Sequence, residues 1–265
     1  MNPLKRFFKR NSHNGLFKGL AGFGRSLHRL YENRNHDIYS NGELNLIRKL
    51  AHLSPKVVID GGANVGGYAE VLYQRLPTAR IYAFEPVPDT YTSLQAKVEK
   101  MDRIETVPKG LFSETTQRQI QLYDSHTHSS IYAIEGVNYT PQATLEIELM
   151  KGDDFLREKS LQQVDFLKLD IEGAEYAALE GFEQALEKGR IRLIQFEYGY
   201  INITTKKLLI DYYQFFAAYG YQVGKLFPKR VEFRTYHFKH EDFIGPNFVA
   251  VRKSDTELIQ LLQEK

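Results

Sequence analysis

Between residues 57 and 197, short apolar runs alternate with segments whose apolar residues recur at helical spacing, and this alternation restricts the fold more than any other feature. Val57-Val58-Ile59 reads as a strand ending at Asp60, and after a glycine turn Val65, Ala69, Leu72, Tyr73 and Leu76 return to a helical period. The pattern continues with strands over 80–85, 105–107, 164–170 and 192–197 and helices over 90–100 and 174–187. Strands alternating with helices predict an α/β protein built on a mostly parallel sheet covered on both faces. A preceding helix (Leu44, Ile47, Leu50, Leu53) stops at Ser54-Pro55. Residues 119–123 read as a hairpin-like region, 221–226 with 248–252 as an antiparallel hairpin on the sheet's edge, and 255–263 as a closing helix.

The organisation expected is a basic helical extension over 1–40, a main domain over 41–252 and a C-terminal helix over 253–265. The net charge of +2 hides an asymmetry: residues 1–30 hold Lys5, Arg6, Lys9, Arg10, Lys18, Arg25 and Arg29 with no acid, so the rest is acidic overall. An acidic body argues against nucleic acid as a partner, because such a partner needs basic residues across the binding face. Leu16, Leu20, Phe23, Leu27, Leu30 and Tyr31 form an apolar stripe flanked by basic residues, interrupted by Gly15, Gly19, Gly22 and Gly24. Two readings stay open for it, packing on the main domain or peripheral contact with an anionic membrane or an acidic partner. With no cysteine, disulfides, thiolate metal sites and a Cys nucleophile are excluded. The start lacks the apolar core of about 7–15 residues that marks a signal peptide, so a cytoplasmic location is expected, with the membrane periphery as the variant.

In an open parallel sheet ligands bind outside the carboxyl ends of the strands, so chemistry-bearing residues belong there. Asp60, Gly61, Gly62, Ala63, Asn64, Val65 and Gly66 follow the first strand, where glycines let the backbone turn tightly and approach a ligand. Gly61, Ala63 and Gly66 also satisfy a dinucleotide pattern, but Asp60 beside the loop disfavours a pyrophosphate and suits a ligand bearing an ammonium and a sulfonium. Glu85, ahead of Pro86 at the next strand's end, offers two acceptor oxygens to a ribose diol. The run from Asp165 to Glu175 delivers Asp170 to the sheet's edge and places Glu172 and Glu175 at a helix start, where helix-dipole and functional roles stay open. Lys168 is expected either covered by helices or paired with a carboxylate.

These blocks, Val58 to Gly66, Phe84-Glu85-Pro86, and Asp165 to Glu175, resemble the FkbM family of methyltransferases over roughly residues 40–252, and Asn41-Gly42-Glu43 adds to the likeness. The resemblance implies the Rossmann-like class I methyltransferase fold with a seven-stranded sheet, S-adenosylmethionine as methyl donor, and a hydroxyl acceptor on a sugar, polysaccharide precursor or polyketide. It also implies that the adenine lies over Lys109, Gly110 and Leu111. Gly61 departs from the family, which more often has Val or Ile there, and adds freedom to the loop.

Methyl transfer from a sulfonium requires the acceptor oxygen at near-attack distance and water excluded. For an alcohol the proton must leave during transfer, which nominates Asp170 as positioner or base and Glu197 as second candidate. His126 and His128 read as an exposed polar loop ahead of a metal or base role, and no metal is expected to be required. Tyr198, Tyr200, Tyr212 and Tyr213 stand open between an acceptor pocket and a core. Two rival readings remain. One is an NAD-linked oxidoreductase, whose Tyr and Lys pair the spacing of Tyr221 and Lys225 imitates on a strand where a helix is needed. The other is a catalytically silent scaffold that docks through the basic N-terminus.

Overall fold

The computed structural model describes residues 2–123, 129–132 and 140–264. Two helices, α1 (Pro3–Arg10) and α2 (Gly15–Tyr31), precede α3 (Glu43–Ala51), β1 (Val57–Gly61), α4 (Gly67–Arg75), β2 (Arg80–Phe84), α5 (Pro88–Val98) and β3 (Ile104–Val107). Then come β4 (Gly110–Phe112), β5 (Thr116–Leu122), β6 (Ser129–Ser130), β7 (Ala143–Lys151), α6 (Gly152–Glu158) and β8 (Val164–Leu169). The chain continues through α7 (Glu175–Glu180), α8 (Glu183–Glu187), β9 (Ile191–Glu197), α9 (Ile201–Thr205) and α10 (Leu209–Ala218). It closes with β10 (Tyr221–Leu226), β11 (Val231–Phe233), β12 (Asn247–Arg252) and α11 (Thr256–Gln263).

Among the described residues the main sheet has eight strands in the order β11-β10-β12-β9-β8-β1-β2-β3. β3, β2, β1, β8 and β9 are parallel, while β12 is antiparallel to both β9 and β10. This is the Rossmann-like class I methyltransferase architecture that the sequence predicts, with one correction at its C-terminal side. Residues 221–226 and 248–252 do pair antiparallel, but not as an edge hairpin: β12 is inserted between β9 and β10, and the short β11 takes the edge as an eighth strand. The physical reason is that Phe248, Val249, Ala250 and Val251 are all buried, and a strand apolar on both faces belongs inside a sheet.

Alternation along the strands splits the interior in two. Val58, Ile81, Phe166, Leu193, Val249 and Val251 pack under Leu46, Ile47 and Leu50 of α3, Leu72 of α4, and Leu258 and Leu262 of α11. On the other face Ile59, Tyr82, Phe84, Leu167, Leu169, Ile194, Phe196 and Ala250 meet α6, α7, α8 and α10. The single helix predicted over 174–187 is two. A Cβ at Gly181 would collide with the Phe112 carbonyl, and Asp153 accepts the Gln184 and Ala185 N–H groups at 2.9 and 3.0 Å, which starts α8 as a separate helix.

A second sheet, β4-β7-β5-β6, was not apparent from periodicity. The predicted hairpin-like region is β5, whose partner over Thr116 to Leu122 is β7, far along the chain. This small sheet presents Ile120, Ile147 and Leu149 to the cavity beside the main sheet's carboxyl ends.

Candidate active site

Register alone brings the three predicted acids to one end of the sheet. Asp60 on β1 pairs with Ala83 on β2 and Lys168 on β8, and Gly61 pairs with Phe84 and Leu169. Glu85 and Asp170 therefore leave their strands one residue beyond Gly61, on either side of the glycine turn. The turn is tied to both neighbours: Gly62 and Ala63 donate to the Phe84 carbonyl at 3.1 and 2.8 Å, and Asp170 N–H donates to the Gly61 carbonyl at 3.1 Å. Gly62 has φ +83°, and a Cβ there would strike the Asp170 carbonyl, so no other residue suits the position. Gly61 behaves differently. It is a regular strand residue whose missing side chain makes room for Leu111 and Leu169, so its conformational freedom is not what the fold uses.

A cavity of about 1460 Å³ opens over this end. Gly62, Ala63, Asn64, Glu85, Pro86, Gly110 and Leu111 form one end of its lining, and Asp170, Glu172 and Glu197 another part. Asp60, Gly61 and Gly66 are not on the cavity wall. Asp60 is fully buried behind it, with both carboxylate oxygens lacking a hydrogen-bond partner and Lys168 Nζ 3.7 Å from Oδ1. Burial pushes its pKa up to about 6, and the neighbouring Asp170 and Glu43 charges push the same way, against Lys168. Gly66 caps α4 with φ +86°.

Lys168 is both covered and paired: its ammonium lies 3.1 Å from Asp170 Oδ2 and 4.5 Å from the Tyr68 ring centroid. Burial would lower its pKa, yet Asp170, Asp60 and Glu43 together raise it, so it stays charged. Asp170 itself is 45% exposed and faces the cavity. Glu85 accepts N–H groups from Val87 at 2.9 Å and Asn64 at 3.1 Å, one on each oxygen, and burial lifts its pKa to about 7.

The remaining acids separate by role. Glu175 is fully buried and folds back to accept the Ile171 and Gly173 N–H groups at 2.9 and 3.2 Å, shaping the turn after β8. Burial lifts it to about 7. Glu172, held at φ +50°, lines the cavity, and burial beside Asp170 and Glu175 raises it to about 8. Glu197, at the end of β9, is raised by burial and by the charges of Asp170, Glu172 and Glu175, with His36 Nδ1 3.9 Å away.

One buried polar residue behind the cavity wall, Gln195, escaped the sequence reading. Gln195 on β9 donates to Glu43 at 2.6 Å and Asn247 at 3.1 Å, and Asn41 donates to the other Glu43 oxygen at 2.7 Å. The signal was present: Gln195 and Lys168 are polar residues at the same level of two apolar strands. A Cβ at Gly42, φ +108°, would strike the Phe227 carbonyl, which accounts for Asn41-Gly42-Glu43 as a unit. Of the tyrosines, Tyr198 and Tyr212 are fully buried core residues, Tyr213 packs against that core, and Tyr200 lines the cavity. Tyr221 and Lys225 lie along β10, with Lys225 paired to Glu32 at 2.8 Å, so no dehydrogenase pair forms. His126 and His128 fall outside the described residues. Among those described, no group of three or more His, Asp or Glu residues stands where it could hold a metal ion.

The model of the methyltransferase FkbM domain matches residues 60–223, which run from the end of β1 through the first half of β10. The chain belongs to the FkbM methyltransferase family. Its members are S-adenosylmethionine-dependent. This FkbM protein is 28% identical to Methyltransferase 1 of Beauveria bassiana over 48% of its own length and 58% of the relative's. It is 26% identical to the hexuronic acid methyltransferase AglP of Haloferax volcanii, over 64% of this chain and 69% of that protein. With the 2-O-methyltransferase NoeI of Sinorhizobium fredii it shares 22% identity, over 51% and 60%. The chain thus spans about three fifths of the first relatives it matches.

The FkbM cavity suits the cofactor's chemistry. Each Glu85 oxygen retains a lone pair after its backbone bond, enough for a vicinal diol. Pro86, Val87, Leu111, Ile120, Ile147 and Leu149 supply apolar walls for a flat base. The Asp170 carboxylate lies on the cavity wall, where a cationic ligand would be held.

Proposed function

We propose that the protein transfers a methyl group from S-adenosylmethionine to a hydroxyl oxygen of a sugar-like acceptor. The observation that carries this reading is that Glu85 and the acid cluster Asp170, Glu172 and Glu197 face one continuous cavity, so donor and acceptor groups share a single chamber. The sugar-directed names of AglP and NoeI support the acceptor class.

The bound cofactor supplies an electrophilic methyl group on sulfur. The protein's part is placement and proton removal. Gly62, Ala63 and Asn64 carry the turn on which the donor would rest, and Glu85 would hold its ribose hydroxyls. Asp170, whose Oδ2 is engaged by Lys168, orients the chamber's cationic occupant. Glu197, on the cavity wall at the end of β9 and raised by burial among Asp170, Glu172 and Glu175, is the group placed to take the acceptor's proton. The acceptor enters past Tyr200, Ile203 and the segment 242–247, all on the cavity wall.

The test is binding followed by turnover. Calorimetric titration should show S-adenosylhomocysteine binding and no NAD(H) binding, and radiolabelled methyl should pass to uronic acid or other glycan acceptors. Tight NAD(H) binding with no S-adenosylhomocysteine binding would overturn the reading.

A further inference from the structure

We infer that α1 and α2 form an anchor that lays the protein on an anionic lipid bilayer. At ~100° per residue, Leu16, Leu20, Phe23, Leu27, Leu30 and Tyr31 fall within about one third of the α2 circumference, and Lys18, Arg25 and Arg29 lie opposite. α1 repeats the division, with Leu4, Phe7 and Phe8 on one side and Lys5, Arg6, Lys9 and Arg10 around the other. Neither helix has a buried residue, and the apolar stripe is open to solvent, Leu16 at 71% and Leu30 at 76%. The alternative of packing on the main domain is therefore not what the structure uses.

Charge selects the occupant. From Met1 to Tyr31 there are seven Lys and Arg residues and no acid, so a second copy of the segment would add like charge with no carboxylate to pair it, whereas anionic headgroups neutralise it. An anionic bilayer supplies negative headgroups and apolar depth together, which matches both faces of these helices. Gly15, Gly19, Gly22 and Gly24 have open space where a side chain would go, so no neighbour demands them. They leave α2 weak by itself, as suits a helix whose stability comes from the surface it covers.

The anchor is also aimed. His28 Nε2 lies 3.7 Å from Asp242 Oδ2, and Arg29, Arg34, His36 and Tyr39 line the cavity, so α2 ends at its mouth. Docking sets that mouth against the headgroup layer, and an acceptor reaching Glu197 would enter from there. This last consequence rests on the proposed reaction; the anchoring does not.

The experiment is sedimentation of the full chain with vesicles of phosphatidylcholine, with and without phosphatidylglycerol. Binding is expected to the phosphatidylglycerol vesicles and to fall as salt rises. Lys18→Glu with Arg25→Glu, and separately Leu20→Gln with Leu27→Gln, should each weaken it by at least about tenfold. Thermal stabilisation by S-adenosylhomocysteine should match wild type in both variants, which separates lost docking from lost folding. If the wild type shows no such stabilisation, the cofactor reading fails while the vesicle result stands. Anchoring is overturned by a chain that stays in the supernatant, by equal binding to neutral vesicles, or by variants that bind like wild type. A lipid-free dimer dissociated by Leu20→Gln with Leu27→Gln would also overturn it, assigning the face to a second copy.

Discussion

Lys168 Nζ stands 3.1 Å from Asp170 Oδ2, and its other near neighbour, 3.7 Å away, is the sealed carboxylate of Asp60. One cation thus links a carboxylate in the cavity with one that water does not reach. Removing it strands the Asp60 charge in the interior. Lys168→Met should cost ~3–5 kcal/mol of stability in denaturant unfolding, as expected for breaking a buried ion pair from one side. Asp60→Asn added to Lys168→Met should recover part of the loss; additive losses would show that the pair is not coupled.

Glu85 contributes contacts that the cofactor reading requires. Glu85→Gln retains one carbonyl oxygen for the backbone and loses charge-assisted acceptance, so S-adenosylhomocysteine affinity should fall about tenfold or more. Calorimetric titration at constant pH reads the change. An unchanged Kd would remove Glu85 from the binding site.

The two base candidates predict different kinetics. Glu197→Gln should lower kcat about 10²–10⁴-fold with S-adenosylhomocysteine binding unchanged. Asp170→Asn, which releases Lys168, should weaken cofactor binding as well. Because Glu197 is raised by burial among acids, activity should climb with pH as it deprotonates, and Glu197→Gln should lose that limb. A Glu197→Gln enzyme at wild-type kcat would end its candidacy.

Gly62 is constrained by φ +83° and by the Asp170 carbonyl directly beneath it. Gly62→Ala should destabilise the fold by more than ~2 kcal/mol, through backbone strain and collision, and abolish cofactor binding. Gly67→Ala is the control, since nothing lies within 4 Å of a Cβ there.

Three buried acids and the half-buried Glu172 shape the pH dependence of stability. Asp60, Glu85, Glu175 and Glu172 have folded pKa values of about 6, about 7, about 7 and about 8, above their ordinary values of 3.8 and 4.5. A raised acid binds its proton more tightly when folded, so its contribution is full below the ordinary value and is lost as pH rises through the folded one. The ligand-free Tm should therefore fall between about pH 5 and pH 8, and Glu175→Gln should flatten the decline. A Tm that rises across that window would refute the arrangement.

Much of this site was legible before folding because its residues announce themselves locally. Asp60, Gly62, Glu85 and Asp170 each end a strand recognisable from a few β-branched or apolar neighbours, and parallel strands necessarily bring their carboxyl ends together. Other features depended on partners distant in sequence. β5 finds β7, Gln195 finds Glu43, and β12 slips between β9 and β10, none of which periodicity within one segment encodes.

By itself, the sequence determined the alternating architecture, the glycine turn, the acids at the strand tips and the two-faced stripe over residues 16–31, since each follows from residue type and short-range spacing. Only the tertiary structure decided which acids reach the cavity. Asp60 and Glu175 are turned inward to hold Lys168 and a backbone turn, while Glu172 and Glu197 are brought to the wall beside Asp170. A carboxylate's role depends on what buries and pairs it, and those partners come from strands and helices that meet only when the chain is folded.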